Sequence, residues 1–378
     1  MWSIIGHTQA LAALERALAS GRPPHAWLFS GPEGIGKAAV ALEFAAALNC
    51  TGGIPALPLK GQASNESVPP IRSVPQPTPS GVGPNNRPCG ECRNCRDTLA
   101  GRHTDVELVA PGGICDEPDH REHTESRDLR ICQIRRVEHL LSLSPYAGAH
   151  RVAIIDAADT LHAEAANAFL KTLEEPPAGS VIILLVERDD RLPETILSRC
   201  QRLPFRPIER ETIEHTLVER GAPQEDAEAI AAAASGRLGW ALRALEEPAL
   251  LEERGQMLDE AVRLAHAGRG ERFGWAKDAA SRDAAVRERY LREIGVWEGW
   301  WRDVLLYRAG GREGATNPDR EGALIEEGTL YAASEIVTFL RSLAQTREHL
   351  YANVDPQLAL ENLTLDLPSP ARRAGTAR

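Results

Sequence analysis

Ala26-Trp27-Leu28-Phe29-Ser30-Gly31-Pro32-Glu33-Gly34-Ile35-Gly36-Lys37-Ala38 is the stretch on which the reading of this chain turns. A short apolar run of strand type leads into a glycine-rich turn, and an Ala/Leu-rich helix follows to about Asn49. Residues 31–38 fit the phosphate-loop pattern G-x-x-x-x-G-K-[ST] except at the last position. Glycines at 31, 34 and 36 let backbone N–H groups wrap a phosphate, and Lys37 would reach its outer oxygens. The final position is Ala38, whose methyl group cannot ligate Mg²⁺ as a hydroxyl does. A second strand, Arg151-Val152-Ala153-Ile154-Ile155, ends at Asp156 and is the natural Walker B partner. The next residue, where such ATPases place a water-activating glutamate, is Ala157. Gly31, Gly34, Gly36, Lys37 and Asp156 therefore form a degenerate nucleotide site, at which ATP or ADP binds weakly or not at all. The competing reading is that another carboxylate, such as Asp159, takes over the missing role.

Working outward, Leu11, Leu14 and Leu18 recur at helical spacing and Ser20-Gly21 reads as the stop. A helix is expected from about Leu129 to Leu143, another over Ala163–Glu175 ended by Pro176-Pro177, and a buried strand at Val181–Val186. Strands alternating with helices imply a mostly parallel sheet covered on both faces, an α/β class. After Pro207 the strand signals fade and the pattern is helical. Val286, Tyr290, Ile294, Trp297, Trp301 and Val304 form its best stripe, with Trp300 expected off that stripe as a contact surface. A last helix is expected near Gln357–Leu365.

Cys89-x2-Cys92-x2-Cys95 together with Cys50 offers four thiolates at spacings suited to one tetrahedral Zn²⁺ of structural type. An iron–sulfur cluster and unliganded thiols are the alternatives. Cys115 and Cys132 read as incidental, Cys200 as packed, and His120 and His123 as solvated residues of a polar loop.

The bulk properties limit the function classes. The 378 residues exceed one ordinary core, so two or three domains are expected. Hydrophobic residues make up 43% and charged residues 26%, a globular balance. A net charge of −11 disfavours a stand-alone duplex binder, which needs a basic face to release counterions. The longest apolar run is too short to span a bilayer, and no basic-then-apolar leader is read at the start. A cytoplasmic location without a membrane partner is the expectation.

Two further stretches narrow the family: Ala166-Asn167-Ala168-Phe169-Leu170-Lys171-Thr172-Leu173-Glu174-Glu175-Pro176-Pro177, and Leu192-Pro193-Glu194-Thr195-Ile196-Leu197-Ser198-Arg199-Cys200-Gln201. Both resemble signatures of the bacterial clamp-loader branch of AAA+ proteins, whose members carry a small zinc module after the P-loop helix. The resemblance is strong to about residue 245 and looser beyond, through Asn353-Val354-Asp355-Pro356-Gln357-Leu358-Ala359-Leu360-Glu361. It implies a AAA+ P-loop core at 1–207 with a zinc module at 50–96, within which residues 51–88, rich in Pro, Gly, Ser and Asn and without periodicity, read as a flexible loop. A helical lid at 208–246, a helical collar at 247–368 and a disordered tail at 369–378 would follow.

Motor subunits of that branch keep the P-loop hydroxyl, the Walker B glutamate and a sensor arginine. Here Ala38 and Ala157 replace the first two, and Gly239 aligns with the third, with Arg237 nearby. The losses imply the non-hydrolysing, stator-like subunit of the DNA polymerase III clamp loader, an accessory subunit of a DNA-directed DNA polymerase (a nucleotidyltransferase) and not an enzyme by itself. The resemblance further implies that Arg199 is an arginine finger, catalytic in trans at a neighbouring ATPase site. It implies a hetero-pentamer with motor (gamma/tau) and delta subunits, which reaches the sliding clamp and primed DNA through the assembly. The alternatives are a gamma/tau-like motor subunit, a P-loop nucleotide kinase, and a zinc-dependent nucleic-acid module.

Overall fold

The computed structural model describes residues 2–52, 87–117, 123, 126, 128–278, 284–352 and 354–368. Most of the expected loop at 51–88, the tail at 369–378, His120 and Asn353 lie outside the described residues. The chain divides into two compact units, Met1–Arg206 and Pro207–Arg378.

The first unit is built on a five-stranded parallel sheet. Its strands are β1 (Ala26–Ser30), β2 (Val106–Val109), β3 (Arg151–Ile155), β4 (Ser180–Val186) and β5 (Gln201–Pro204). They lie in the order β2-β3-β4-β1-β5 and every pair is parallel. The helices are α1 (Thr8–Ala19), α2 (Lys37–Leu48), α3 (Arg93–Leu99), α4 (Ile131–Ser142), α5 (Ala163–Glu174) and the short α6 (Glu194–Leu197). This is the α/β architecture expected of a P-loop AAA+ core.

The period-2 alternation of the strands sorts the core into two layers. Trp27 and Phe29 of β1, Val152 and Ile154 of β3, and Val181, Ile183 and Leu185 of β4 face one way, against α1 and α2. Ala26 and Leu28, Ala153 and Ile155, and Ile182, Leu184 and Val186 face the other, against α4 and α5. All seven residues of β4 are buried, which is why it reads as a continuous apolar run and not as an alternating one.

The strands β2 and β5 were not expected from sequence. They are the sheet edges, four residues each, and each carries a single buried side chain, Val109 or Leu203. Their pattern is too short and too polar to register as a core strand.

The second unit is helical: α7 (Arg210–Glu219), α8 (Gln224–Ala234), α9 (Leu238–Glu246), α10 (Ala249–His266), α11 (Arg269–Asp278), α12 (Ala284–Arg308), α13 (Glu321–Leu330), α14 (Ala333–Tyr351) and α15 (Pro356–Leu365). Its core centres on α12. Trp297 stacks on Trp275 at 5.0 Å between ring centroids, and Trp301 meets Tyr331 and Phe339 edge-on at 5.2 and 5.4 Å. The Trp297 indole N–H donates to the Met257 carbonyl at 3.0 Å.

Trp300 corrects the sequence reading. It is fully buried in the same cluster and is not a surface residue. The reason is geometric: Trp300 lies three residues after Trp297 and four before Val304, so a stripe of ordinary width includes it.

Candidate functional site

The phosphate loop sits at the C-terminal end of β1, the end of an open parallel sheet at which ligands bind. Its backbone conformation is one that glycine alone adopts readily. Gly34 and Gly36 have φ of 73° and 115°, and a Cβ on Gly31 would fall 2.8 Å from the Phe205 carbonyl oxygen. His7 braces the loop from behind, with Nε2 2.9 Å from the Ile35 carbonyl and its ring edge-on to Phe205. Burial lowers the His7 pKa despite the Ile35 contact that raises it. The loop feeds the first turn of α2, whose N–H groups have no intrahelical acceptor and make an anion-binding end.

Lys37 is buried, and its ammonium donates to the carbonyl oxygens of Gly31 at 2.5 Å and Pro32 at 3.0 Å. Desolvation lowers its pKa, while Glu187, Asp156, Asp159 and Glu33 oppose that shift electrostatically. Four carboxylates thus bear electrostatically on one ammonium. Ala38 is exposed on the first turn of α2 and presents only a methyl group. Asp156 follows β3 and accepts a hydrogen bond at 2.9 Å from the N–H of Ala157, which has a left-handed backbone, φ 49°.

Asp159, weighed from sequence as a substitute carboxylate, does lie within electrostatic reach of Lys37. Desolvation raises its pKa, so its charged form is disfavoured. Glu187 was missed. It directly follows β4, and a carboxylate at the C-terminal end of a central buried strand was the available signal. Desolvation, then repulsion by Asp159 and Glu33, raises its pKa although the side chain retains solvent exposure.

Arg199 lies just beyond α6, in the turn before β5. Its guanidinium donates to the Thr195 carbonyl at 2.6 Å and to Glu174 Oε1 at 2.5 Å. The pair is partly exposed, with side-chain exposures of 32% and 51%, so it is worth at most about 1 kcal/mol and is readily exchanged. In the second unit, Gly239 is the second residue of α9. Arg237 precedes that helix, donating to the Ala234 carbonyl at 2.9 Å and lying over the Trp240 ring at 5.4 Å.

The four cysteines expected to act together do converge. Cys50 follows α2, Cys92 caps α3 and Cys95 lies in its first turn. The four sulfurs lie within 4.8 Å of one another. Cys89 and Cys95 Sγ are 3.8 Å apart, matching the roughly 3.8 Å edge of a tetrahedron with 2.3 Å metal–sulfur bonds.

Backbone N–H groups already point at the sulfurs: Gly52 at Cys50, Cys92 at Cys89 and Cys95 at Cys92, at 3.3–3.4 Å. Such bonds orient thiolate ligands and spread their charge. The Cys50 thiol is held down at about 5, chiefly by a hydrogen bond from Cys95, whose own thiol that contact pushes up. The donor set fits a zinc ion, which Cys50, Cys89, Cys92 and Cys95 would hold as a closed four-sulfur site whose chemistry is structural cross-linking. The module is tied to the end of α2 and to the loop before β3 through Asn94 Nδ2, which donates to the carbonyls of Asn49 at 2.9 Å and Ala147 at 3.0 Å.

The remaining cysteines divide. Cys200 packs against the core, as expected, and burial pushes its thiol up to about 12. Cys115, Cys132 and His123 depart from the sequence reading. Both thiols are buried, and the half-buried imidazole meets one of them.

Comparison with known proteins places the chain in a family. The family described as "DNA polymerase III, delta subunit" matches residues 6–65 and 81–209. The DNA polymerase III subunit delta' of Bacillus subtilis (strain 168) is 25% identical over 361 residues, 95% of each chain. That of Pseudomonas aeruginosa PAO1 is 28% identical over 242 residues, 64% of this chain and 61% of its own. The subunit tau of Escherichia coli (strain K12) is 31% identical over 265 residues, 68% of this chain. Against that relative the match spans about a third of the length, 34%.

Proposed function

The chain belongs to the DNA polymerase III delta-subunit family, and from that premise we propose that it is the delta-prime-type subunit of a bacterial clamp loader, a AAA+ subunit that does not hydrolyse ATP. One observation carries the reading. The phosphate loop keeps its glycine geometry and Lys37, while Ala38 and Ala157 stand where a metal-ligating hydroxyl and a water-activating carboxylate are needed. Without the hydroxyl, Mg²⁺ loses an inner ligand. Without a carboxylate at 157, no base orients the attacking water. The carboxylates around Lys37 add a local negative field that opposes a polyphosphate. Nucleotide binding is therefore weak, and turnover is absent.

In this reading Arg199 acts on a neighbour. It is partly exposed, held by the shallow pair with Glu174 and a hydrogen bond to the Thr195 carbonyl, so exchanging the carboxylate for a neighbouring subunit's γ-phosphate costs little. A guanidinium delivered there stabilises charge developing on the transferring phosphoryl group, an effect worth roughly 10³–10⁵ in rate for arginine fingers.

The region 1–207 is the AAA+ core, 208–246 the lid and 247–368 the collar. Through the collar the subunit joins gamma/tau and delta subunits in a hetero-pentamer that places the sliding clamp on primed DNA. The four-cysteine cluster holds a structural zinc ion.

Reconstitution tests this. Arg199→Ala should leave pentamer formation intact and reduce DNA-stimulated ATP hydrolysis by the loader, severalfold or more where the neighbouring site dominates. Arg199→Lys should not restore it, because the planar fork is lost. Unchanged hydrolysis in the Ala variant would remove the finger.

The second reading, a gamma/tau-like motor subunit, draws support from Asp159 and Glu187 near Lys37. It requires ATP turnover by the isolated chain.

A further inference from the structure

Between β2 and α4 the chain assembles a second group of soft ligands, apart from the four-cysteine cluster. Cys115 and Cys132 are 4% and 7% exposed. Their sulfurs and an imidazole nitrogen of His123 all lie within 4.8 Å of one another, and His123 Nε2 is 3.0 Å from Cys132 Sγ.

The surroundings hold these three residues by contacts that do not use the ligand atoms. Gln133, next to Cys132 and fully buried, donates from Nε2 to the Ala110 carbonyl at 3.0 Å and accepts from the Arg130 N–H at 3.0 Å. The His123 N–H donates to the Gly113 carbonyl at 3.3 Å, and its own carbonyl accepts from Ser126 at 2.7 Å. One turn along α4 from Cys132, Arg136 pairs with Asp116, the neighbour of Cys115, and with Glu107 at 3.0 Å. Both cysteine-bearing segments are thereby clamped to each other.

We propose that Cys115, His123 and Cys132 form a second zinc site, with a fourth position completed by water or another small exogenous ligand. Two thiolates and a neutral imidazole are a zinc donor set, and they offer none of the oxygen atoms that calcium or magnesium would require. The two thiolate charges cancel the ion's charge, which suits a site lined by two buried side chains. Bonds of 2.3 Å to sulfur and 2.0–2.1 Å to nitrogen place sulfur and nitrogen about 3.5 Å apart. Binding therefore opens the present 3.0 Å contact by about half an ångström, which rotation of the half-buried imidazole supplies. The thiol protons leave to solvent as the ion enters. Structurally, the ion cross-links the connection between β2 and α4 at both its ends. That connection carries few apolar side chains of its own.

Metal counting on the full chain, purified under reducing conditions and measured by native mass spectrometry, tests the site. The wild type should carry two zinc ions and His123→Ala one. Because His123 is half-buried and lies outside every helix and strand, this variant keeps the fold. A wild type with one ion that His123→Ala abolishes would keep this site and remove the four-thiolate one. A count that His123→Ala does not change would overturn the proposal, as would a Cys115–Cys132 disulfide in the native chain. Cobalt gives a second readout. Its ligand-field bands in the reloaded wild type should shift on adding imidazole, through the exchangeable fourth position, and His123→Ala should lose that response. Bands that do not respond in the wild type would contradict the open position.

Discussion

Glu293 shows how a single carboxyl sets a pH dependence. It lies on α12, 2% exposed, and burial pushes its pKa up to about 7 against the attraction of Arg289. In the unfolded chain it returns to its ordinary value near 4.3. Between those values the native state holds a proton that the unfolded state has released, so stability falls as pH rises through that window. The loss is on the order of 3 kcal/mol. Glu293→Gln removes it: thermal melts should show the variant gaining on the wild type from pH 5 to pH 8. Parallel curves would place the charge elsewhere.

Glu187 is the matching case at the phosphate loop. Removing its charge in Glu187→Gln should tighten ADP binding roughly tenfold by relieving repulsion. Calorimetry should also show that the wild type gains more affinity on acidification than the variant, since the Glu187 pKa is raised while Asp159, also raised, titrates in both. Weaker binding in the variant would mean that this carboxylate assists the ligand.

At the scale of elements, legibility followed burial and period. The P-loop strand and helix, β3, β4, α5 and the α12 stripe were readable because each buries a continuous or periodic apolar face. The edge strands β2 and β5 were not, since four residues with one buried side chain carry little pattern. The four-cysteine set was readable because Cys89, Cys92 and Cys95 repeat at x2 spacing, and Cys50 at the end of the P-loop helix supplies the fourth thiol. The Cys115, His123 and Cys132 group was not, because its members fall in no short Cys-x2-Cys pattern and only the fold brings their ligand atoms together. Glu187 escaped for a similar reason: its place beside Lys37 follows from β4 lying next to β1. Trp300 was misplaced by drawing the α12 stripe one residue too narrow. Its burial makes a prediction: Trp300→Ala should cost about 3–5 kcal/mol by denaturant unfolding, as a core truncation does. A change within about 0.5 kcal/mol would mark it as a surface residue instead.

The molecule as a whole keeps the glycine geometry and lysine of a phosphate loop and carries Ala38 and Ala157 at two positions tied to hydrolysis. The acidic balance, −11 over 378 residues, fits a subunit that reaches DNA through an assembly better than one that binds it alone. Among the described residues no helix is long and apolar enough to cross a membrane. Whether or not ATP is turned over, the phosphate loop organises β1, α2 and the buried Lys37 as part of the core.

The most direct test is steady-state ATP hydrolysis by the purified chain alone, with Mg²⁺, compared with a Lys37→Ala control. For a non-hydrolysing subunit the expectation is the same background rate of ATP hydrolysis in both. Mg²⁺-dependent turnover in the wild type that Lys37→Ala abolishes would contradict it, and would make this chain a motor subunit.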